Sequence, residues 1–327
     1  MGENQRGDLP TSATVPGIRN QEVRMPYSPL RVVVAWRPGK TGTEAINYAA
    51  WLARTCEVRI RVVTVLSRGW PLTSLARLSD NDSWVAREAR RAEQSAKAAL
   101  KAAGVPKAMV DDEPVVTIES SSEATALTHA AGEFGADMLL LGTQLHSPAG
   151  RFRAGSTADA LLHYSPIALG LSPRGRRLSK NGVTRVNVSY IDTAQSHTAL
   201  KRAADLAKRW EVPLRMLAFT PKGATMYPTE DGFGSSEDLM IEWREQALAL
   251  LDRGLDRAHT RYPDLKIEAE VGSGHGWEDA LGAIKWKKGD LLVLGSSTLG
   301  PFGRVFIGSS TNQIVRHCPA PTLITPA

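Results

Sequence analysis

Short apolar runs alternate with longer stretches of helical periodicity along most of the chain. Runs such as 32–36 and 291–294 lack the polar alternation of a half-exposed strand, which is typical of strands buried on both faces. The pattern predicts strands at 31–36, 58–65, 114–119, 137–142, 166–171, 185–190, 213–219, 266–271, 289–295 and 321–325. It predicts helices at 42–54, 84–103, 121–134, 156–164, 195–209, 235–261, 275–287 and 309–317. Strands and helices that alternate in this order indicate an α/β protein with a parallel sheet.

The two halves of the chain repeat one another. Equivalent residues in their later parts are 153 positions apart, which pairs Gly142 with Gly295, Arg151 with Arg304, Gly155 with Gly308, and Pro166 with Pro319. In the earlier parts the spacing is 154, as for Ala45 and Ala199. Such a match indicates a duplicated domain of about 145 residues. The expected fold is therefore two tandem, doubly wound α/β domains, each a five-stranded parallel sheet with helices on both faces.

This duplication divides the chain into four predicted segments. They are a flexible N-terminal tail at 1–28, a first domain at 29–173, a basic linker at 174–183 and a second domain at 184–327. A length of 327 residues is ordinary for two domains. No apolar run approaches the roughly 20 residues of a membrane helix, and the first residues do not resemble a signal peptide. We expect a cytoplasmic protein with no membrane partner.

Charge and cysteine content do not indicate a nucleic-acid-binding, zinc-binding or disulfide-rich protein. The net charge is +6, and its sharpest basic cluster, 172–182, is rich in turn formers and contains neither acidic nor aromatic residues. We interpret the cluster as a solvated linker rather than a nucleic-acid patch, because base stacking would need aromatic side chains. Cys56 and Cys318 lie in opposite halves, without the spacing of a zinc site or a disulfide framework.

A glycine-containing loop leaves the fourth predicted strand of each half. It begins at Gly142 or Gly295 and ends in a Gly-Ser pair at the predicted start of the next helix, 155–156 or 308–309. Free backbone N–H groups and the helix dipole favour an anion at such a helix start, where glycine lets the main chain approach closely. Arg151 and Arg304, each four residues before the pair, could neutralise phosphate charge. An ordinary turn with a serine N-cap remains the alternative for either loop.

Other motifs are weaker. Segment 38–42 ends like a phosphate loop, but that motif requires a glycine where Val34 stands. Segment 272–276 places Ser273 near His275 without forming a nucleophile elbow, and we expect Ser273 to be a helix N-cap. Thr193 or Ser196 is expected to cap the helix at 195–209. Segments 67–82 and 221–234 are predicted to be exposed loops, with a lid or a docking surface as alternatives.

Both halves resemble the universal stress protein family. The resemblance rests on the pattern of a strand, Gly, two residues, a second Gly, nine residues, Gly-Ser or Gly-Thr at a helix start, and then Pro before a final apolar strand. It is closer in the second half. It implies an adenine-nucleotide alpha-hydrolase-like fold, with ATP held on the glycine loop and an aspartate at the end of the first strand contacting adenine. It also implies that the two domains pair through their final strands, here near 167–171 and 322–325.

Departures from the family pattern favour the second half as the nucleotide site. The second motif glycine is replaced by Leu145 in the first half and by Thr298 in the second, while Trp36 and Ile191 occupy the position of the adenine-contacting aspartate. Asp192 is one residue late. The predicted ATP site, with Mg²⁺ if nucleotide binds, consists of Asp192, Gly295, Thr298, Gly300, Arg304, Gly308, Ser309 and Ser310. Its counterpart in the first half consists of Gly142, Gly155, Ser156 and Thr157.

Three hypotheses of function follow. The leading one is a non-enzymatic stress-response protein, an intrachain pseudo-dimer that could pair further as a homodimer or bind protein partners that the sequence does not identify. A scaffold that has lost nucleotide binding is the second. A weak ATP hydrolase or adenylyl-transfer enzyme is the third, for which Asp192 is the one nearby acidic candidate. No catalytic residue and no metal ligand is predicted.

Overall fold

The computed structural model describes residues 28–39, 42–67, 81–222, 236–296 and 308–326. The strands of the first half are β1 (Leu30–Ala35), β2 (Val58–Ser67), β3 (Val110–Ser120), β4 (Met138–Leu141) and β5 (Ala168–Leu171). Its helices are α1 (Glu44–Ala53), α2 (Asn81–Ala102), α3 (Glu123–Phe134) and α4 (Ser156–Tyr164), with a 3-10 turn at Lys107–Met109. The predicted tail, except for Ser28, lies outside the described residues, as do 68–80 of the first predicted loop.

The second half repeats this order of elements. Its strands are β6 (Arg185–Ser189), β7 (Leu214–Lys222), β8 (Ile267–His275), β9 (Asp290–Gly295) and β10 (Thr322–Thr325). Its helices are α5 (Ala194–Trp210), α6 (Ser236–Arg261), α7 (Trp277–Gly282) and α8 (Ser309–His317). The second predicted loop begins later than expected, because Pro221 and Lys222 belong to β7, and its residues 223–234 lie outside the described chain.

The strands of both halves form a single ten-stranded sheet. Their order is β3-β2-β1-β4-β5-β10-β9-β6-β7-β8. Neighbouring strands within each half are parallel, whereas β5 and β10 pair antiparallel at the centre. The expected α/β class and doubly wound halves are confirmed. The expected pairing of the halves through their final strands is confirmed as well.

The first two helices of each half cover one face of the sheet, and the last two cover the other. One apolar cluster joins α1, α2, α5 and α6 to the sheet through residues such as Trp51, Leu100, Leu200 and Leu251. A second cluster on the other face contains Leu127, Leu161, Leu281 and Val315 from α3, α4, α7 and α8. The helices that follow β6 and β9 therefore lie on opposite faces, although these two strands are neighbours. This creates a switch point at the carboxyl ends of β6 and β9, the place where ligands bind in open α/β sheets.

An approximate twofold axis runs through the central strand pair. Gly170 of β5 pairs with Leu323 of β10, and these two residues are equivalents in the duplication. Tyr48 of α1 packs against Gly170 and donates a hydrogen bond to the Thr322 carbonyl of the other half at 3.4 Å. The small residue at this point lets an aromatic side chain of the first half reach across the junction.

The start of α7 differs from the sequence prediction. Strand β8 continues to His275, so Ser273 is a strand residue whose hydroxyl lies 2.7 Å from that of Thr220. The expectation that Ser273 caps a helix was wrong. Gly276, with φ of +88°, makes the turn into α7, and a left-handed backbone of this kind favours glycine. The helix also ends earlier than predicted, where the indole of Trp286 donates to the Leu281 carbonyl at 2.8 Å.

The segment 174–183 contacts both halves at several points. Val183 is 3% exposed and donates its backbone N–H to the Thr55 hydroxyl at 2.8 Å. Ser179 donates its N–H to the Lys288 carbonyl at 3.0 Å. The Arg174 side chain donates to the Ser147 carbonyl at 2.7 Å. These contacts satisfy backbone groups of the segment, while its basic side chains Arg177 and Lys180 are exposed to solvent.

Candidate functional site

The candidate site of the second half lies at the start of α8. Gly295 ends β9, and Gly308 is the N-cap of α8, with Ser309 and Ser310 in its first turn. The first turn of a helix leaves backbone N–H groups without intrahelical partners, and the helix dipole adds a partial positive charge there. Gly308, Ser309 and Ser310 thus form an arrangement suited to an anion. Thr298, Gly300 and Arg304 of the predicted set lie outside the described residues.

Gly295 lies where two elements of the switch point approach closely. A Cβ atom on Gly295 would lie 2.7 Å from the backbone oxygen of Gln195, near the start of α5. No real side chain tolerates such a contact, so any larger residue here would push α5 away from β9. Thr193 caps α5 and forms a reciprocal capping box with Ser196, as the sequence allowed. The start of α5 is thus fixed beside the end of β9.

The matching position in the first half already holds a carboxylate. Gly155 is the N-cap of α4, and Ser156 and Thr157 begin the helix, as predicted. The Thr157 hydroxyl donates to Glu123 Oε2 at 2.6 Å, and Arg37 pairs with the same oxygen at 3.3 Å. The Glu123 side chain is 15% exposed. A negative group of the protein itself therefore lies beside the N-terminus of α4.

Sequence reasoning missed Glu123. An acidic residue in the first turn of α3 has a sufficient local explanation in the helix dipole, which concealed its contact with α4. A comparison of the two halves could have revealed this role of Glu123. At spacings of 153 and 154 the residues aligned with Glu123 are Gly276 and Trp277, so the second half has no carboxylate there.

The glycine loop of the first half is bound into the protein. The Thr143 hydroxyl accepts the Arg153 N–H at 2.8 Å and lies 2.6 Å from the Ser147 hydroxyl. Phe152 is 2% exposed and belongs to the core between α4 and the sheet. Gly142, the first glycine of this loop, directly follows β4.

Arg151 contacts the other half of the chain. Its guanidinium donates to the His317 carbonyl at the end of α8 and pairs with Glu278 of α7. Both of these contacts join the first half to the second, which the sequence did not predict. The reason is tertiary: its partners lie 127 and 166 residues away in the other half.

Asp192 follows β6 and is held by a cluster of side chains. It has a left-handed backbone, with φ of +57°. Its Oδ1 accepts from the Tyr190 hydroxyl at 2.9 Å and lies 2.9 Å from Nε2 of His197, while Arg253 lies 3.5 Å from Oδ2. Hydrogen bonds from His197 and then Tyr190 lower the pKa of Asp192 to about 2. Burial, and then the bond to Asp192, raises the pKa of Tyr190 to about 12.

Metal and membrane sites find no support in the described part of the chain. No group of three or more His, Cys, Asp or Glu side chains there could hold a metal ion. No helix within the described ranges is long and apolar enough to cross a bilayer. Both cysteines are free thiols, and burial raises the pKa of Cys318 to about 12.

Comparison with known proteins gives a consistent result for both halves. A model of the universal stress protein family matches residues 30–169 and 183–326. A universal stress protein of Mycobacterium tuberculosis is 33% identical over 301 residues, which cover 91% of this chain and all of the relative. A universal stress protein of Mycolicibacterium smegmatis is 25% identical over 213 residues, covering 64% of this chain and 68% of the relative.

Solved structures share the tandem fold. The crystal structure of a universal stress protein from Archaeoglobus fulgidus superposes with a TM-score of 0.60 at 17% identity, covering 92% of this chain and 99% of that one. A functionally unknown protein from Pseudomonas aeruginosa gives a TM-score of 0.51 at 11% identity, covering 91% and 93%. At these identities the likeness concerns the fold alone.

Proposed function

Since this chain belongs to the universal stress protein family, we propose that it is a non-enzymatic stress-response protein whose second half binds ATP with Mg²⁺. The observation that carries the proposal is the difference between two equivalent helix starts. In the first half, Glu123 lies beside the N-terminus of α4. In the second half, the aligned positions are occupied by the uncharged residues Gly276 and Trp277. A triphosphate would meet a like charge in the first half and not at the aligned positions of the second.

The same contrast favours a division of labour between the halves. The first-half loop is bound by its own hydroxyls and by Arg151 to the other half, which supports a structural role for it. Helix α8 follows β9, one of the two strands of the switch point, and its N-cap and first turn consist of Gly308, Ser309 and Ser310. Backbone N–H groups and two hydroxyls suit phosphate oxygens.

The surroundings of Asp192 support a non-enzymatic role. A general base works best with a pKa near the operating pH, whereas that of Asp192 is about 2. Its oxygens are already engaged by Tyr190, His197 and Arg253. A carboxylate held in this way is a poor base and has little free capacity to bind a metal ion.

The test is calorimetric titration of the full-length protein with ATP and Mg²⁺, alongside Gly308→Asp and the matched control Gly155→Asp. Both glycines are helix N-caps with ordinary backbone angles, φ of −74° and −84°, so aspartate should stabilise each helix by capping it. At Gly308 the new carboxylate would occupy the proposed phosphate position. We expect a dissociation constant on the order of 1 µM, about −8 kcal/mol, that is lost in Gly308→Asp and kept in Gly155→Asp.

A second candidate function has a specific observation in its favour. The first-half loop has become part of the contact between the halves, which is what a scaffold without nucleotide binding would show. Failure of the wild-type protein to bind ATP would reject the nucleotide proposal and favour the scaffold. Loss of binding in Gly155→Asp rather than in Gly308→Asp would place the ATP site in the first half and contradict our proposal.

A further inference from the structure

Arg151 connects the glycine loop of the first half to two helices of the second. Its guanidinium donates to the carbonyl of His317, the last residue of α8, and pairs with Glu278 in the first turn of α7. The fork shape of a guanidinium allows both contacts at once. A single side chain thereby fixes the end of α8 relative to α7 and to the first half.

The backbone that carries Arg151 is itself fixed. Arg174 donates its backbone N–H to the Arg151 carbonyl at 3.0 Å, and Gly150 donates to the Arg174 carbonyl at 2.8 Å. The Arg174 side chain donates to the Ser147 carbonyl at 2.7 Å. The interdomain segment and the loop therefore form one platform behind Arg151. Because the platform is tied at several points, it can hold α8 in a defined position.

Helix α8 carries the proposed phosphate site at its other end. It spans Ser309–His317, nine residues or about 13 Å. Ile314 and Val315 are buried at 4% and 3% exposure, so this short helix moves as one body. A cation at its last carbonyls also complements the negative end of the helix dipole. A displacement at His317 would shift the N–H groups near Ser309 and weaken their distance-sensitive hydrogen bonds to a phosphate.

We propose that Arg151 is a positioning residue for the nucleotide site of the second half, acting through α8. This inference rests on the proposed function. On this proposal, the glycine loop of the first half no longer binds phosphate and instead positions the phosphate site at the start of α8. Occupancy of the site and order in the first-half loop are then coupled, and such coupling is reciprocal.

The duplication shows that this support is one-sided. At spacings of 153 and 154 the residues aligned with Glu278 are Thr125 and Ala124, neither of which can pair with an arginine. The equivalent arginine, Arg304, lacks a carboxylate at those positions. The carboxylate that pairs with Arg151 therefore has no counterpart at the aligned positions of the first half, as expected if the two arginines have different roles.

The contact is partly open to solvent. A cleft of about 510 Å³ surrounds it, lined by Gly150, Glu278, Asp279, Gly282 and Pro319 in addition to Arg151 and His317. The Glu278 side chain is 64% exposed, and pairs with so much solvent contact contribute little stability. The value of Arg151 therefore lies in the geometry it imposes on α8 rather than in the stability of the fold.

The test compares the full-length wild type with Arg151→Gln, Arg151→Lys, Glu278→Gln and the control Arg153→Gln. Arg153 lies in the same loop with an exposed side chain, so its substitution removes the same charge without touching α8. Calorimetry gives the ATP affinity of each protein, and hydrogen exchange reports the amides of 309–317 and 148–153 with and without ATP.

We expect Arg151→Gln to weaken ATP binding about tenfold and to accelerate exchange in 309–317. Arg151→Lys should recover part of the loss, Glu278→Gln should cause a smaller one, and Arg153→Gln should match the wild type. In the wild type, ATP should slow exchange in 148–153. Wild-type affinity and exchange in Arg151→Gln would overturn the inference, as would an equal loss in Arg153→Gln.

Failure of the proposed function is distinguishable from failure of this inference. If the wild type does not bind ATP, the proposed function fails, and exchange without ligand still decides whether Arg151 holds α8. If Arg151→Gln does not fold, Glu278→Gln provides the milder disruption of the same contact. Unchanged exchange in 309–317 in Glu278→Gln would then overturn the inference.

Discussion

At the scale of single residues, the neighbours of a carboxylate decide what it can do. Asp192 and Glu123 both lie at the carboxyl end of the sheet, and each is engaged by hydroxyl and cationic groups of its own half. Asp192 also adopts a left-handed backbone, which aspartate tolerates better than most residues. Both side chains therefore act as internal anions that organise loops and helix starts.

We predict that Asp192 makes stability depend on pH in the acid range. Its folded pKa of about 2 is below the unfolded value of about 3.9. A depressed carboxyl pKa stabilises the folded state above the unfolded pKa, and this contribution is lost as pH falls through the folded pKa. Asp192→Asn should thus be less stable than the wild type from neutral pH to about pH 4.5, and the gap should close between about pH 4 and pH 2.

Urea unfolding at a series of pH values measures that gap. Asp252→Asn is the matched control, because Asp252 is exposed on α6 next to Arg253. The control should follow the wild type at every pH. A gap that stays constant down to pH 2 would show that the carboxylate contacts of Asp192 do not stabilise the fold.

At the scale of elements, the junction of the halves depends on a strand residue without a side chain. A Cβ on Gly170 of β5 would lie 2.3 Å from Leu140 Cδ2 and 3.1 Å from Tyr48 Cε1. Both neighbours are fully buried, so neither can move aside without disturbing the core. Helix α1 packs at its present distance from the sheet because this position is glycine.

Gly170→Val should destabilise the protein by about 1–3 kcal/mol through overpacking. Gly132→Ala is the control, for which we expect a change in stability of the opposite sign. A Cβ there meets nothing within 4 Å and lies within α3, so alanine should stabilise by up to about 1 kcal/mol through its helix propensity. Chemical denaturation of both variants measures the two effects. Equal stability of Gly170→Val and the wild type would mean that α1 can move away from β5.

How far the sequence predicts each element depends on whether its determinants are local. Helices α4 and α8 begin and end where the periodicity predicted, because Gly-Ser pairs and following prolines are local signals. Helix α7 did not, because β8 continues to His275 and the Trp286 indole binds the Leu281 carbonyl where the helix ends. The candidate site divides in the same way. Glycine and serine positions were predictable, whereas the contacts of Arg151 and Glu123 come from tertiary packing that no short window of sequence contains.

At the scale of the whole molecule, the halves share one sheet and one core. The apolar cluster on the α1 and α5 face contains buried residues of both halves, including Tyr48, Trp51, Tyr190 and Trp210. The central strands β5 and β10 are each bordered on both sides. Because neither half has a free central edge or a separate core on that face, we expect the chain to unfold as one cooperative unit.

Asp290 offers a way to test this cooperativity from within the second half. It is fully buried, and Arg185 pairs with both of its oxygens at 2.8 Å. The Lys287 N–H donates to it at 2.8 Å, and the buried Arg215 guanidinium lies 3.6 Å away. Asp290→Asn would leave buried cationic charge without its counter-ion, at a cost of about 3–5 kcal/mol.

If the molecule is one unit, that loss will reach strands far from Asp290. We predict that hydrogen exchange of the slowest amides in β1 and in β6 will lose the same free energy of protection in Asp290→Asn, because both exchange only on global unfolding. Asp264→Asn, at an exposed position of the same half, should leave both unchanged. A loss of protection confined to β6 would show that destabilisation of the second half does not cross the β5–β10 junction and that the halves unfold separately. Equal losses would mean that the duplicated domains have become one folding unit, in which a substitution in either half alters the stability of the proposed nucleotide site.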